Sequence, residues 1–372
     1  MGDGLVTLFL CGDVMTGRGV DQVLPHPGDP ELRERDARDA RAYVRLAERA
    51  NGPIPRPAGF AWPWGEALRV LDDLAPDVRV INLETSITRS SAFAPGKAVH
   101  YRMSPGNLPC VAAARPGACA LANNHALDFG CRGLQDTLDA LSGAGLRAAG
   151  AGRDAGQARR PVAVPVPGGR RVVIYSCGTG SAGIPAGCAA APGRPGVNYL
   201  PDLSDATADE VTGRARAAKR PGDVVVVSLH WGSNWGYDVD AEQVRFARRL
   251  VAGGVDLVHG HSSHHPRPVE VSGGRLILYG CGDLINDYEG VAGYQEYRAD
   301  LRLLYFASLQ PGTGTLAALR MVPVQARKLR LHRAAEADAR WLAGVLERAS
   351  RRFGSRVDLQ PDGLLALHPG AS

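Results

Sequence analysis

Four of the ten histidines fall within seven residues in the stretch Val255-Asp256-Leu257-Val258-His259-Gly260-His261-Ser262-Ser263-His264-His265-Pro266. Neutral imidazole is the commonest protein ligand for zinc, manganese or iron, and an apolar strand running into a glycine-containing loop is a rigid base from which to aim several rings. Tag-like histidine tracts sit at termini, whereas this run is internal and follows apolar residues at strand spacing. Metal or catalytic chemistry is therefore the first expectation.

The same grammar, a short apolar run delivering a chemically competent side chain, recurs four times. Leu5–Cys11 ends at Gly12-Asp13 and is followed by Arg18; Asp77–Leu83 carries Asn82 and ends at Glu84. Ala118–Ala122 leads to Asn123-Asn124-His125-Ala126-Leu127-Asp128, and Asp223–Leu229 to His230-Trp231. Asn124 can offer its carbonyl oxygen to a metal, while His125 with Asp128 can form an oriented imidazole for proton transfer. Arg18 is a candidate anion clamp, and Lys97 and Arg102, in the loop after Glu84, add positive charge. Trp231 is also expected to face a substrate. Oxygen and imidazole ligands from five strand ends are too many for one ion and suit two. A pair of divalent cations ~3.5–4 Å apart, joined by a bridging carboxylate, can bind a hydroxide and both oxygens of an ester or amide transition state. Mixed ligation of this kind admits manganese, iron or zinc.

Positioning such a set requires an α/β scaffold. The helix expected over Asp240–Ala252 joins the strands ending at His230 and His261 into a βαβ unit, so these two rings can converge. Helices are also expected at Ala67–Leu74, Leu134–Ala144, Ala206–Arg220 and Ala335–Ser350, and a hairpin around Pro167-Gly168-Gly169. Residues 21–64 read as a lid or insertion, with a charged helix over Asp29–Arg49 and a proline-stiffened return bearing Trp62 and Trp64. Leu301–Leu309 and Thr315–Ala326 read as antiparallel strands, and 327–372 as a closing helix and hairpin. One domain spanning 1–372 is the expectation.

At 45% hydrophobic and 22% charged residues the chain can build a core and is not a disordered one. A net charge of +5, with no Lys/Arg block interleaved with aromatics, suits a small anionic ligand and gives no sign of a nucleic-acid partner. The seven cysteines are odd in number and form no C-x-x-C pair, which points to free thiols and a reducing compartment. Met1-Gly2-Asp3-Gly4-Leu5 lacks a basic segment leading into a long apolar core, and no window approaches the ~20 apolar residues of a membrane span. The expectation is a cytoplasmic chain without a membrane partner; the oligomeric state is not legible.

Taken in order, GDVMTGR from Gly12, NLET from Asn82, NNHALDFG from Asn123, HWG from His230, GHSSHHP from Gly260 and YGCGDLIND from Tyr279 resemble the motifs of the calcineurin-like metallophosphoesterases. Within that superfamily they resemble the bacterial capsule-synthesis, CapA-like family associated with poly-γ-glutamate. The likeness runs from Leu5 to Asp287. It implies a four-layer α/β/β/α sandwich with the site where the strand ends of two central sheets meet. It further implies that Asp13 and His264 hold a first metal, that Asn124, His230 and His261 hold a second, and that Glu84 bridges them. His125 would be the acid beside the metal-bound asparagine, with Asp128 as its partner, and His265 a substrate or supporting group. The chain departs from the superfamily pattern at Met15, where a histidine is usual, at Ala126, where a carboxylate is usual, and at Ser262-Ser263, inserted before His-His-Pro. Two functions follow from the resemblance: a metal-dependent hydrolase of a phosphoester or γ-glutamyl-type amide, or an accessory component of capsule assembly that binds polymer. A metal-stabilised scaffold without turnover is the third reading.

Overall fold

Alternation of strand and helix in the first two thirds of the chain, then antiparallel strands, builds two sheets packed face to face. The computed structural model describes residues 4–369. Met1-Gly2-Asp3 and the reading made of them lie outside the described residues, as do the last three residues of the expected C-terminal unit.

The larger sheet has Val6–Val14 near its middle, parallel to Val78–Leu83 on one side and antiparallel to Leu301–Leu309 on the other. Ala118–Ala120 extends it beyond Val78–Leu83, and Leu316–Arg327 beyond Leu301–Leu309. The second sheet places Val224–His230 between Arg170–Thr179 and Leu257–His261, all parallel. Val162–Val166 pairs antiparallel with Arg170–Thr179, the hairpin expected around Pro167-Gly168-Gly169.

Period-two alternation decides the layers. Leu8 and Leu10 of the first sheet meet Val172, Ile174, Val224, Val226 and Leu257 of the second in one apolar cluster between the sheets. Their strand neighbours face outward: Phe9, Cys11, Ile81 and Leu83 pack against Leu134, Leu138 and Leu141 of the helix Gly130–Gly143. On the other outside face Val225, Val227 and Leu229 pack against Phe246, Ala247 and Leu250 of the helix Ala241–Ala252. Helix, sheet, sheet, helix is the four-layer α/β/β/α sandwich that the resemblance implied. Each fully buried Leu or Val contributes about 1.5–3 kcal/mol, so the inter-sheet layer fixes strand register and, with it, which residues emerge at the strand ends.

One local expectation is corrected. The helix in the insertion is Arg41–Asn51, not Asp29–Arg49; residues 31–39 instead fold back, with Leu32 N–H donating to the Arg38 carbonyl. Between Pro30 and Asp39 only Leu32 and Ala37 are apolar, so a helix there would have no stripe to bury. Trp64 is fully buried and donates to the Cys110 carbonyl, whereas Trp62 packs beside Val44 and Ile54 of the insertion's own small core. All seven cysteines are free. Among the described residues no helix is long and apolar enough to cross a membrane.

Candidate metal centre

The strand ends converge as their register dictates. In the second sheet His230 pairs directly with His261, and their Nδ1 atoms lie 2.8 Å apart. In the first sheet Asp13 pairs with Asn82 on one side and with Asp283, at the start of the short strand Asp283–Ile285, on the other. Two groups of candidate ligands result, Asp13 with His230 and His261, and Asp13 with His264 and Asp283; within each group the ligand atoms lie within 4.8 Å of one another. Asp13 is common to both. Glu84 lies alongside, its Oε1 3.8 Å from His230 Nε2 and 3.8 Å from His125 Nε2. Asn124 Oδ1 is 3.0 Å from His230 Nε2.

Neighbouring groups hold these ligands in place. Asn82 Nδ2 donates to Asp13 Oδ1 at 2.7 Å and to Glu84 Oε2 at 2.9 Å, while Asn123 Nδ2 donates to Asn82 Oδ1. Ser228 Oγ contacts His261 Nε2 at 2.8 Å, and Asn286 Nδ2 donates to Asp283 Oδ2 at 2.6 Å. His264 Nδ1 pairs with Asp283 Oδ1 at 2.9 Å. His259, the cluster's first histidine, turns the other way: its Nε2 contacts the Cys11 carbonyl of the facing sheet at 2.8 Å.

Electrostatics in this pocket run against an assembly of side chains alone. Burial first, then the nearby Asp283 carboxylate, raises the Asp13 pKa to about 7; burial, Asp13 and Asp283 push Glu84 well up. His230 and His261 are pushed well down by burial and by neighbouring histidines, which leaves them neutral and able to ligate. For His264, burial opposes charge but the Asp283 carboxylate outweighs it, and the pKa rises. Asp13 Oδ2 is buried with no hydrogen-bond partner among the described residues. Crowded buried carboxylates facing neutral imidazoles cost stability unless positive charge completes them. The mixed oxygen and nitrogen donors present fit divalent cations such as manganese, iron or zinc.

Beside the ligands stands a second assembly. His125 Nδ1 is 2.7 Å from Asp128 Oδ2, and Lys97 Nζ bonds Asp128 Oδ1 and the Asn124 carbonyl and lies 3.2 Å from His125 Nδ1. The Tyr101 N–H donates to Asp128 Oδ2, and the Tyr101 and His125 rings meet edge to face at 4.6 Å. Burial lowers the His125 pKa to about 4 against the pull of Asp128. Burial also opposes ionisation of Asp128, but His125 and Lys97 together hold it low. His125 thus has one ring nitrogen fixed and the other turned toward Glu84.

Four residues expected to face a substrate sit otherwise. Arg18 is 4% exposed, and its Nε and Nη2 pair with Asp287 while Nη1 pairs with Glu34 at 2.9 Å. Its ring neighbours are Tyr43 and Tyr101, at 3.7 and 4.6 Å. Its charge is offset within the protein, and it ties the insertion to the loop after Asp283. Trp231 is 1% exposed, stacks on Tyr279 and belongs to the helix-side core. Arg102 donates to the carbonyls of Ser90 and Asp29, lining a separate surface cavity. His265 is buried among Trp235, Tyr237 and Tyr297. Lys97 alone of the expected substrate-facing cations joins the site. Sequence reasoning missed Asp283 as a candidate ligand and Asn82 as the residue that orients two carboxylates. The signal for Asp283 was present, since Leu276–Tyr279 followed by Gly-Cys-Gly-Asp repeats the pattern of Leu8–Cys11 followed by Gly-Asp.

Comparison with known proteins bears on the whole arrangement. The family model described as "Bacterial capsule synthesis protein PGA_cap" matches residues 7–288. The chain is 54% identical to the "Probable polyglutamine synthesis accessory protein" of Mycobacterium tuberculosis over 369 residues, covering 99% of this chain and 97% of that one. It is 29% identical to the "PGA biosynthesis protein CapA" of Bacillus subtilis over 320 residues, covering 84% of this chain and 70% of the relative. Among solved structures, a 5'-nucleotidase precursor from Thermus thermophilus aligns with a TM-score of 0.47 at 18% identity, over 87% of this chain and 54% of its own. The family match spans every motif from Gly12 to Asp287, the stretch that supplies all the candidate ligands, and the chain belongs to the bacterial capsule synthesis protein family.

Proposed function

We propose that the chain is a divalent-metal-dependent hydrolase with two cations, acting on an anionic substrate, either a phosphoester or a γ-glutamyl-type amide. The observation that carries this reading is the pair of ligand groups sharing Asp13, set beside the His125–Asp128–Lys97 assembly. Divalent cations held by such donors would polarise a carbonyl or phosphoryl oxygen and lower the pKa of water. The remaining work belongs to the chain. Asn82 keeps Asp13 and Glu84 oriented, so their charge is presented in one place. His125 can hand over or take up a proton at Nε2, because Asp128 fixes the ring through Nδ1. Lys97, itself partly exposed, compensates the charge of buried Asp128, and burial of Asp128 and His125 shields their contact from bulk water.

The name of the Mycobacterium tuberculosis relative, an accessory protein of polyglutamine synthesis, supports a second reading: a component that binds an anionic polymer at this centre without cleaving it. One experiment separates the two. Protein purified without chelator is analysed for metal, then offered phosphoesters and γ-glutamyl amides in parallel. The first reading expects close to two ions per chain and metal-dependent turnover of one class. Two ions with no turnover of either class, but retention on immobilised poly-γ-glutamate, would replace it with the second.

A further inference from the structure

A phenol ring stands edge-on to a histidine in each half of the centre. The Tyr101 ring meets His125 at 4.6 Å and 86°, and the Tyr288 ring meets His264 at 5.3 Å and 82°. Their hydroxyls join across 187 residues of sequence, Tyr101 Oη donating to Tyr288 Oη at 2.9 Å. The pair thus links the His125–Asp128 assembly to a candidate metal ligand. Arg18, fixed by Asp287 and Glu34, lies over the faces of both rings, 4.6 Å from the Tyr101 centroid and 5.7 Å from that of Tyr288.

Because Tyr101 commits its proton to Tyr288, Tyr288 must direct its own elsewhere. The acceptor it finds among the described residues is the Met15 thioether sulfur at 3.8 Å, a weak acceptor at long range. Met15 lies two residues past Asp13, the carboxylate common to both ligand groups, so a poorly used O–H donor is set between that carboxylate's strand end and the His125 side. Tyr101 is fully buried, whereas Tyr288 is partly exposed and within reach of an incoming group. Removal from water, then the nearby Asp283 carboxylate, pushes the Tyr288 pKa up, which keeps the proton in place. The Arg18 cation over the ring draws charge from the phenol oxygen and strengthens the O–H as a donor.

We propose that Tyr288 is a substrate-contacting residue of the centre, its hydroxyl donating to an oxygen of an anionic ligand seated beside Asp13 and His264, and that Tyr101 is the positioning residue that turns this hydrogen toward the ligand. A phosphoryl or carboxylate oxygen offers the short, charge-assisted bond that the sulfur does not. The proposal rests on the reading that the centre takes an anionic ligand, and it holds whether that ligand is cleaved or only bound.

The test uses the full chain purified without chelator, with metal content measured for every variant. Inorganic phosphate and sodium glutamate are titrated separately by calorimetry. The parent is expected to bind at least one of them, and Tyr288→Phe, which keeps the ring against His264 and removes only the oxygen, to bind it about tenfold or more weakly at unchanged metal content. Tyr288→Phe also leaves the Tyr101 hydroxyl without its acceptor, whereas Tyr101→Phe/Tyr288→Phe strands neither group; the double variant is expected to bind as weakly as the single one. Recovery of the parent's affinity in the double variant would trace the loss to the stranded Tyr101 hydroxyl and overturn the proposal. Loss of an ion in Tyr288→Phe would make the residue a prop for His264 and overturn it as well. Parent-like binding by Tyr288→Phe overturns it while leaving the anionic reading in place, and failure of the parent to bind either probe overturns both.

Discussion

Among the described residues Asp13 occupies a position no other carboxylate shares, since it belongs to both candidate ligand groups while Glu84 sits to one side, beside His230 and His125. The resemblance assigned the bridging role to Glu84, and the two residues make different predictions about metal content. Asp13→Asn, which preserves shape and removes charge, is expected to lose both ions, and Glu84→Gln to retain at least one; elemental analysis of the purified variants decides. Full metal content in Asp13→Asn would return the bridge to Glu84. His125 tests the chemistry separately. Its ring contacts Asp128 and Lys97 and approaches the ligands only at 3.8 Å, so His125→Asn should keep the metals while turnover falls by roughly 10²–10⁴, the usual worth of a general acid or base. Loss of an ion in that variant would make His125 a ligand.

At the scale of strands and loops, what was legible is what obeys local rules. Asp13, Glu84, Asn124 and His230 each follow a short apolar run that marks a buried strand, and the βαβ connection made the meeting of His230 with His261 predictable. Asp283 carried the same strand-end signal, but its place beside Asp13 is set by topology. The chain leaves the second sheet after Leu278 and crosses to the first, where Asp283–Ile285 pairs with Val6–Val14. Nothing in the apolar pattern says which sheet a three-residue strand will join. Arg18 was misread for a related reason: its partners Glu34 and Asp287 lie 16 and 269 residues away, and pairing over that separation leaves no trace in local sequence. Its role as a tie between the insertion and the Asp287 loop predicts that Arg18→Met destabilises the fold by about 3–5 kcal/mol, because two buried carboxylates lose their partner. Urea unfolding monitored by circular dichroism measures this. An unchanged midpoint together with a raised KM for an anionic substrate would restore the reading of Arg18 as a substrate clamp.

At the scale of the whole molecule, the candidate ligands come from both sheets. Asp13, Glu84, Asn124 and Asp283 ride on the first, and His230, His261 and His264 on or just beyond the second. Between them the sheets share an apolar layer and scattered hydrogen bonds, such as that from His259 to the Cys11 carbonyl and that from the Leu316 N–H to the Gly274 carbonyl, but among the described residues no strand of one is laddered to a strand of the other. A cation held by candidate ligands of both sheets would therefore act as a clasp between them. By mass action, a cation at 100 times its Kd adds about 2.7 kcal/mol to stability. The melting temperature of the parent should climb as manganese or zinc is titrated in, and that of Asp13→Asn should stay flat. If both variants respond equally, the ions are binding elsewhere. Were the protein fastened in this way, the free metal concentration of its surroundings would set its lifetime against proteolysis, and starvation for that metal would clear the chain.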